Sequence, residues 1–438
     1  MNIETLIDAR WIIPVEPEGV TLHNHALAIA DGKIIDILPT DEARQRYHAR
    51  NTHHLEHHAL IPGLINSHTH AAMSLLRGIA DDLPLMEWLQ EHIWPCEQKW
   101  VSEAFVRDGT RLALAEMIRG GTTCFSDMYF FPEVTARCVN ETGIRATIGM
   151  ILVDFPSAWA ENSDEYLSKN IALYEELRND PLISTAFAPH APYSVSDQTI
   201  NKMVAIAEEL ERPFHMHVHE TVTEIDNSLK QYKIRPLERL KKLGLLGPDF
   251  IAVHMTQLND NEIDELAKYG CHIVHCPESN LKLASGFCPV VRLLDAGINV
   301  ALGTDGVASN NDLDMLGEMR TAALLAKGVA GDASVVKASQ ALQMATLNGA
   351  KALGIDNETG SLKTGKSADI AAIRLDSIET QPVFDPVSQI VYAANRDQIT
   401  DVWVSGRQLL KSRVLTTLNI EDIQLKISEW GNRLRKMG

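Results

Sequence analysis

Histidines alternate at three places in the chain. His23 and His25 are expected at the surface or in a turn, and the spacing at the other two places could hold a metal ion. His68 and His70 lie two residues apart after an apolar run. His215, His217 and His219 alternate within "PFHMHVHET". Residues two apart in a strand point to one face, so alternating imidazoles aim at a common point. Neutral imidazoles suit Zn²⁺ or a similar metal, although one such pair is a weak signal in a chain with 17 histidines.

Three further polar residues stand where apolar runs end. Glu220 follows His217 at the spacing His-x-x-Glu, His254 closes the run in "IAVHMT", and Asp305 follows "NVALGT". Core histidines and turn aspartates would explain each residue singly. All of them at strand ends favour an active site, because barrel enzymes assemble theirs from the C-terminal ends of several strands.

These residues need a scaffold of strands, and the sequence predicts one. From Ala59 onward, short apolar runs alternate with helical stretches such as Glu103–Arg119, Ile200–Leu210 and Asn261–Lys268. This alternation is typical of βα units and predicts an α/β fold, a (β/α)8 TIM barrel. The eight predicted strands are Ala59–Ile65, Thr122–Asp127, Arg145–Leu152, Ile183–Ala188, Pro213–Val218, Phe250–His254, His272–His275 and Asn299–Gly303.

Both chain ends read as strands and turns outside the barrel. "ALAIADGKIIDILP" predicts a hairpin about Asp31 and Gly32, and the text becomes strand-like again after Gly360. The two ends are expected to pair into a small β-sandwich domain, residues 1–58 with 360–438, beside a barrel of residues 59–359. The spacing over Ile420–Lys436 predicts a closing helix.

Composition limits the partners and the compartment. The 438 residues include 40 Lys and Arg against 58 Asp and Glu, a net charge of -18. Such a surface repels nucleic-acid phosphates and anionic lipid, whereas a free nucleoside carries no phosphate. The start lacks a signal peptide, and no run approaches ~20 apolar residues, so a membrane span is not expected. Six scattered cysteines without a Cys-x-x-Cys pair favour reduced thiols and a cytoplasmic protein.

Five motifs together resemble the amidohydrolase superfamily over nearly the whole chain. They are "PGLINSHTH", the His-x-x-Glu motif, "HCPESNLKLASG", "GTDG" and "GSLKTGKSADI". Within the superfamily the chain resembles the 5-methylthioadenosine/S-adenosylhomocysteine deaminases. The resemblance implies one divalent ion, with zinc first and Fe²⁺ or Mn²⁺ still open. Its implied ligands are His68, His70, His217 and Asp305, and His190 stands where two-metal relatives carry a lysine.

The resemblance also implies a reaction, hydrolytic deamination of an adenine nucleoside at C6. The metal is expected to lower the pKa of its water to about 7. Asp305 would accept the water's proton, and His254 would orient and polarise the hydroxide. Glu220 would protonate N1 of the purine and help ammonia to leave, because burial and a nearby cation can adjust a glutamate pKa for such a shuttle. No Gly-rich phosphate loop points to an organic cofactor.

Matching family positions suggest the substrate contacts. Glu97, in "WPCEQKW", would accept hydrogen bonds from the ribose 2′ and 3′ hydroxyls. His190 would contact the purine or ribose. Trp88 and Trp94 could cover a 5′-methylthio group, although at helical spacing core packing is the better interpretation for at least one of them.

One position bears on the 5′ group of the substrate. Family members that take S-adenosylhomocysteine place an arginine in the third strand, at the position that matches Met150 of this chain. Arg145 falls earlier and is expected to cap the helix–strand junction. We therefore expect a preference for 5′-methylthioadenosine over S-adenosylhomocysteine, because Met150 offers a thioether and no charge.

Two other functions remain open from the sequence. A related deaminase or chlorohydrolase could act on a free base or triazine, such as guanine, cytosine or 8-oxoguanine, which has no ribose for Glu97 to hold. A non-catalytic scaffold would typically have lost metal ligands, and here every ligand position is filled. A homo-oligomer is expected only from the family.

Overall fold

The computed structural model describes residues 1–435, which form two eight-stranded sheets with helices around one of them. The strands are β1 Asn2–Ile12, β2 Leu22–Ala30, β3 Lys33–Pro39, β4 His48–Pro62, β5 Leu64–Thr69, β6 Thr122–Asp127, β7 Arg145–Leu152, β8 Ile183–Pro189, β9 Phe214–Val218, β10 Phe250–His254, β11 His272–His275, β12 Asn299–Leu302, β13 Ile370–Arg374, β14 Ile399–Val404, β15 Arg407–Lys411 and β16 Val414–Leu415.

The described residues form 17 α-helices, most of which lie between the strands of the second sheet. They are α1 Thr40–Arg46, α2 Leu85–Glu87, α3 Trp94–Trp100, α4 Glu103–Arg119, α5 Pro132–Thr142, α6 Ser163–Leu177, α7 Asp197–Leu210, α8 Val222–Tyr232, α9 Pro236–Lys242, α10 Asp260–Tyr269, α11 Pro277–Lys282, α12 Val290–Asp295, α13 Met315–Ala330, α14 Ala338–Met344, α15 Leu347–Ala352, α16 Pro386–Tyr392 and α17 Ile420–Leu434. Side chains cap several N-termini by accepting a backbone N–H, those of Ser102, Asn162, Ser196, Thr221 and Asn259.

Strands β5 to β12 form a parallel, nearly closed barrel in chain order, which confirms the predicted fold class. The ends of β5 and β12 meet, because the backbone N–H of Asp305 donates to the carbonyl of His68 at 3.0 Å. Gly303 makes this approach possible, since a Cβ there would lie 2.8 Å from the backbone nitrogen of His68. The first and last barrel strands therefore bring their C-terminal residues together.

The first barrel strand begins later than the sequence pattern predicts. Ala59–Ile65 reads as one run, but β4 ends at Pro62 and β5 begins at Leu64. Residues 59–62 pair with β13 in the other sheet, and the N–H of Gly63 donates to Asp369. Proline has no N–H for a ladder, and a Cβ on Gly63 would collide with Thr123. The chain therefore changes sheets at Gly63, and His68 lies within the barrel strand.

The other sheet is mixed and is built from both chain ends, as predicted. Its order is β16-β15-β14-β13-β4-β1-β2-β3, with β1 and β4 parallel and β4 and β13 antiparallel. Strands β2 and β3 form the expected hairpin, in which Asp31 and Gly32 have positive φ. The limits predicted for the two domains stay a prediction.

Helix α17 covers the helical side of the barrel. Its Trp430 ring packs edge-on against Phe105 and donates from Nε1 to Asp108 at 2.9 Å. The predicted helix ran to Lys436, but α17 ends at Leu434, and residues 436–438 lie outside the described part. Within residues 1–435 we find no helix with the length and apolar character needed to cross a membrane.

Candidate active site

Four side chains converge at the C-terminal mouth of the barrel. His68 lies in β5, His70 directly follows β5, His217 lies in β9, and Asp305 follows β12. One ligand atom from each lies within 4.8 Å of the others. Parallel strands end at the same rim, so residues separated by up to 237 positions meet there. The group has the composition of a zinc site with three imidazoles and one carboxylate.

The backbone fixes which ring nitrogen faces the centre. The Nδ1 atom of His70 donates to the carbonyl of Met128 at 2.6 Å, and that of His217 donates to the carbonyl of His190 at 2.7 Å. A carbonyl can only accept, so Nδ1 carries a hydrogen in both rings and Nε2 is the nitrogen that faces the other ligands. Such contacts are typical of the outer shell around metal-binding histidines.

His68 is oriented by a second histidine beneath it. Its Nδ1 lies 3.0 Å from Nε2 of His215, and Nδ1 of His215 lies 3.2 Å from the Ser126 hydroxyl. All three residues are buried. The chain of contacts leaves Nε2 of His68 directed at the other ligands. His215 therefore supports the group from below, and its alternation with His217 was the signal for this position.

The free lone pairs are crowded together. Nε2 of His68 and Nε2 of His217 are 2.9 Å apart. Oδ1 of Asp305 lies 3.4 Å from Nε2 of His68 and 3.2 Å from Nε2 of His70. The lone pairs of His68, His217 and Asp305 repel one another at such distances unless a cation lies among them. The donor set therefore fits a divalent metal ion of the zinc type.

Burial sets the protonation of these ligands. It lowers the pKa of His68 to about 4 and that of His217 well below its usual range, so both rings are neutral at pH 7. At His70, burial also acts to lower the pKa, but the contact with Asp305 outweighs it and raises the pKa to about 9. Burial works to raise the pKa of Asp305, yet His68 and His70 hold it well below its usual range.

Asp305 is held by several donors. The hydroxyls of Ser279 and Ser309 donate to Oδ2 at 2.7 and 2.9 Å, and the N–H of Gly306 donates to Oδ1 at 2.8 Å. Its backbone has a φ of 63°, a left-handed conformation uncommon outside glycine. Helix α11 thus supplies one donor to Asp305 through Ser279.

His254 and Glu220 face each other beside the ligands. Nδ1 of His254 lies 2.8 Å from Oδ1 of Asn280, and its Nε2 lies 3.9 Å from the Glu220 carboxylate. Both side chains are buried, and burial raises the pKa of Glu220. A carboxyl group whose pKa is raised is suited to take up a proton and pass it to a bound molecule.

A second glutamate holds the backbone that carries Glu220. The Glu224 carboxylate accepts the N–H of His219 at 3.0 Å and the N–H of Glu220 at 2.8 Å. Thr256 donates to the carbonyl of Glu220 at 2.6 Å. "TVTE" has the spacing of a helix-start motif, which was the available signal for Glu224. His219 itself lies outside the ligand group, and its Nε2 accepts the N–H of Leu237.

A cavity opens over these residues. His70, His217, Glu220, His254 and Asp305 form its polar floor. Trp88, Trp94, Glu97 and His190, proposed from the sequence, also line it. Its remaining lining is mainly aliphatic and aromatic, as in sites for small ligands with a few oriented polar groups.

Glu97 lines the cavity and is held by a tyrosine. It accepts a hydrogen bond from the Tyr129 hydroxyl at 2.6 Å. Burial raises the pKa of Glu97 to about 7, although the Tyr129 contact opposes this shift. Tyr129 was missed from the sequence because it follows β6 without a recognisable motif.

Met150 does not line the cavity, contrary to the expectation that it contacts the substrate. It is fully buried within β7, whereas Ile151 and Val153 line the cavity. Neighbouring residues in a strand face opposite sides of the sheet. An error of one residue in matching the family position therefore selects a side chain on the wrong face. Arg145 does not act as a helix cap either, because its side chain reaches Asp369 at the edge of the mixed sheet.

Comparisons with known proteins agree with this geometry. Residues 59–409 match the amidohydrolase family. The 5-methylthioadenosine/S-adenosylhomocysteine deaminase of Teredinibacter turnerae is 49% identical, over 99% of this chain and 98% of the relative. The crystal structure of an adenosine deaminase from Xanthomonas campestris with bound zinc is 50% identical, with a TM-score of 0.98 and 99% of each chain covered.

More distant structures share the fold alone. An atrazine chlorohydrolase from Arthrobacter aurescens, complexed with zinc, superposes with a TM-score of 0.91 at 24% identity, covering 97% of this chain and 99% of the other. The family match and the full-length similarity to the Teredinibacter protein extend over both the barrel and the mixed sheet. The chain therefore belongs to the amidohydrolase family, among relatives named 5-methylthioadenosine/S-adenosylhomocysteine deaminase.

Proposed function

We propose that this protein deaminates 5′-methylthioadenosine and related adenosine derivatives at C6, which yields the inosine analogue and ammonia. The observation that carries this proposal is the ligand group within 4.8 Å at the floor of a cavity that Glu220 and His254 also line. The name of the Teredinibacter relative supports the substrate class.

The proposed metal ligands are His68, His70, His217 and Asp305, and zinc is the ion that their donor set favours. When bound, such an ion supplies Lewis acidity that lowers the pKa of water to about 7. The bound zinc in the Xanthomonas structure supports this choice. Iron or manganese would fit the same ligand types.

Three side chains would move or hold protons during the reaction. Asp305 would accept the proton of the attacking water through its carboxylate. His254, held at Nδ1 by Asn280, would keep its Nε2 directed at the water. Glu220 would donate its proton to N1 of the purine, because attack at C6 places developing charge on that nitrogen. As the new C6 hydroxyl becomes a carbonyl, Glu220 would take the hydroxyl proton and pass it to the leaving amine, and the proton held by Asp305 would restore Glu220.

Three other residues that line the cavity would hold the nucleoside, Glu97, His190 and Trp88. Tyr129 donates a hydrogen bond to one oxygen of the Glu97 carboxylate. The other oxygen, together with the remaining lone pair of the first, would accept hydrogen bonds from the ribose 2′ and 3′ hydroxyls. His190, whose Nδ1 lies 3.1 Å from the Ser194 hydroxyl, would offer Nε2 to the purine or ribose. Trp88 would cover the 5′ group with its ring.

A panel of substrates tests the proposal. Purified protein is assayed with adenosine, 5′-methylthioadenosine, adenine, guanine, cytosine and atrazine, with metal analysis of the same sample. Turnover of the two nucleosides, with one equivalent of metal per chain, is expected. Faster turnover of a free base or of the triazine would contradict the proposal, because neither has a ribose for Glu97 to hold.

Glu220→Gln tests the proton shuttle in the same assay. Glutamine keeps the shape of the side chain but cannot carry the proton, so turnover of adenosine should fall on the order of 10³-fold with metal content unchanged. Near-normal turnover would show that Glu220 is not the proton donor.

The surroundings of the protein are part of the proposal. A net charge of -18 supports free nucleosides over nucleic acid as ligands. The six cysteines are all buried and free, which supports a cytoplasmic location. Assembly into a homo-oligomer stays a prediction, and sedimentation of the purified protein measures it.

A further inference from the structure

A second, outer cleft adjoins the cavity over the metal ligands. It is open to solvent and shares Trp94, Glu97, Phe130, Phe155, His190 and Tyr193 with the inner cavity. Glu97 is the residue proposed to hold the ribose, and it lines both spaces. A nucleoside bound with its purine over Glu220 and its ribose at Glu97 would keep a 5′-methylthio group under Trp88 in the inner cavity, and a larger 5′ substituent would extend past Glu97 into the outer cleft.

The outer cleft is rich in aromatic side chains. Five of its 19 lining residues are Trp, Phe or Tyr, although these types make up only 6% of the chain. Phe155 and Tyr193 are each 41% exposed at its mouth, and the ring centroids of Trp94 and Phe155 lie 6.5 Å apart. Exposed aromatic faces grouped in a cleft indicate an apolar or aromatic ligand.

The same cleft offers no cation to an anionic group. None of the described residues that line it is lysine or arginine, and its carboxylates are Glu97 and Asp154. Arg239 stacks on the far side of Tyr232, but it is buried and donates to Asp197 and to the carbonyls of Pro192 and Val195. A carboxylate in this cleft would lose hydration without gaining an ion pair.

We propose that the outer cleft is a subsite for large, uncharged and preferentially aromatic 5′ substituents, and that it disfavours substituents with a carboxylate. This inference rests on the proposed function. The preference among 5′ substituents would then come from the aromatic side chains of the cleft and from its lack of lysine and arginine among the described residues. It would not come from Met150, which lies outside the cavity. Uncharged polar residues that line the cleft, among them Gln98 and Ser157, can form hydrogen bonds with a polar group but cannot neutralise a charge.

A series of 5′ thioethers separates size, aromaticity and charge. The substrates are adenosine, 5′-methylthioadenosine, 5′-propylthioadenosine, 5′-phenylthioadenosine and S-adenosylhomocysteine. The propyl compound has the carbon chain of S-adenosylhomocysteine without its amino-acid group. We expect kcat/KM for the phenyl compound to equal or exceed that for the propyl compound. We expect S-adenosylhomocysteine to be at least about tenfold slower than the propyl compound.

A matched pair of variants locates the effect. Phe155→Ala should lower kcat/KM for the phenyl compound, relative to that for adenosine, by about fivefold to tenfold, because an aromatic contact is removed. Phe384→Ala is the control, since Phe384 is 90% exposed and lines neither cavity. The ratio should not change in the control.

Each outcome decides between the two proposals. If no adenosine derivative is deaminated, the proposed function fails and the subsite fails with it. If adenosine and 5′-methylthioadenosine are substrates but the phenyl compound is tenfold slower than the propyl compound, only the subsite is overturned. Equal rates for S-adenosylhomocysteine and the propyl compound would overturn the charge selectivity. An unchanged ratio in Phe155→Ala would show that the ring binds elsewhere.

Discussion

Two clusters of buried charge lie at opposite ends of the barrel strands, and they differ in how completely they are satisfied. At the starts of the strands, Arg145 of β7 binds Asp369 next to β13, and the two side chains are 6% and 0% exposed. At the mouth, His68, His217 and Asp305 direct lone pairs at one point. The first cluster joins the barrel to the mixed sheet, and the second needs a cation.

The arithmetic of donors and acceptors makes the difference clear. Arg145 has five N–H groups, and it makes five contacts, to Asp369, Glu358, the carbonyl of Pro181, and the hydroxyls of Ser367 and Ser405. The mouth has acceptors facing acceptors. A buried polar cluster that is internally complete supports stability, whereas one with converging, unmatched lone pairs indicates a ligand.

The strongest test of this comparison is Asp305→Asn. Loss of the one carboxylate among the ligands should reduce turnover of adenosine on the order of 10⁴-fold and remove most of the metal. Asp312→Asn, in the same loop but outside the ligand group, is the control and should retain metal and activity. Metal analysis and initial rates measure both. Full metal content in Asp305→Asn would contradict the assignment of the mouth as a metal site.

The Arg145–Asp369 pair, the joint between the barrel and the mixed sheet, is tested by Arg145→Met. Removing one partner of a buried pair leaves Asp369 unpaired, which should lower the free energy of unfolding by about 3–5 kcal/mol. Arg374→Met is the control, because the Arg374–Asp376 pair is exposed and should contribute no more than about 1 kcal/mol. Urea unfolding of the metal-loaded proteins measures the difference. Equal midpoints for the two variants would show that the joint does not stabilise the protein.

A smaller effect concerns Glu97, which accepts a hydrogen bond from the Tyr129 hydroxyl. With its pKa raised to about 7, Glu97 is ionised above that pH and protonated below it. A protonated carboxyl accepts the ribose hydroxyls poorly, so KM for adenosine should rise about tenfold between pH 8 and pH 6. Glu97→Gln should remove this pH dependence. A flat KM in the unaltered protein would exclude Glu97 as the titrating ribose contact.

Much of the barrel and of the ligand group was predictable from the sequence. Strands β6, β7, β10 and β11 have the predicted limits, because each is a short apolar run bounded by turns. Alternation placed His68 with His70, and strand ends marked His254 and Asp305, since both signals are local in the chain. The limits of β5 were wrong because Ala59–Ile65 is one apolar run that serves two sheets.

By itself, the sequence determined the fold class, the family and the types of ligand, because periodicity and motifs depend on neighbouring residues. Tertiary structure decided which ring nitrogen faces the centre, through the carbonyls of Met128 and His190. It also turned Met150 away from the cavity, carried Arg145 to Asp369, and gathered the aromatic rings of the outer cleft. These outcomes depend on contacts between distant segments, whose distances and orientations are fixed only when the strands and loops pack together.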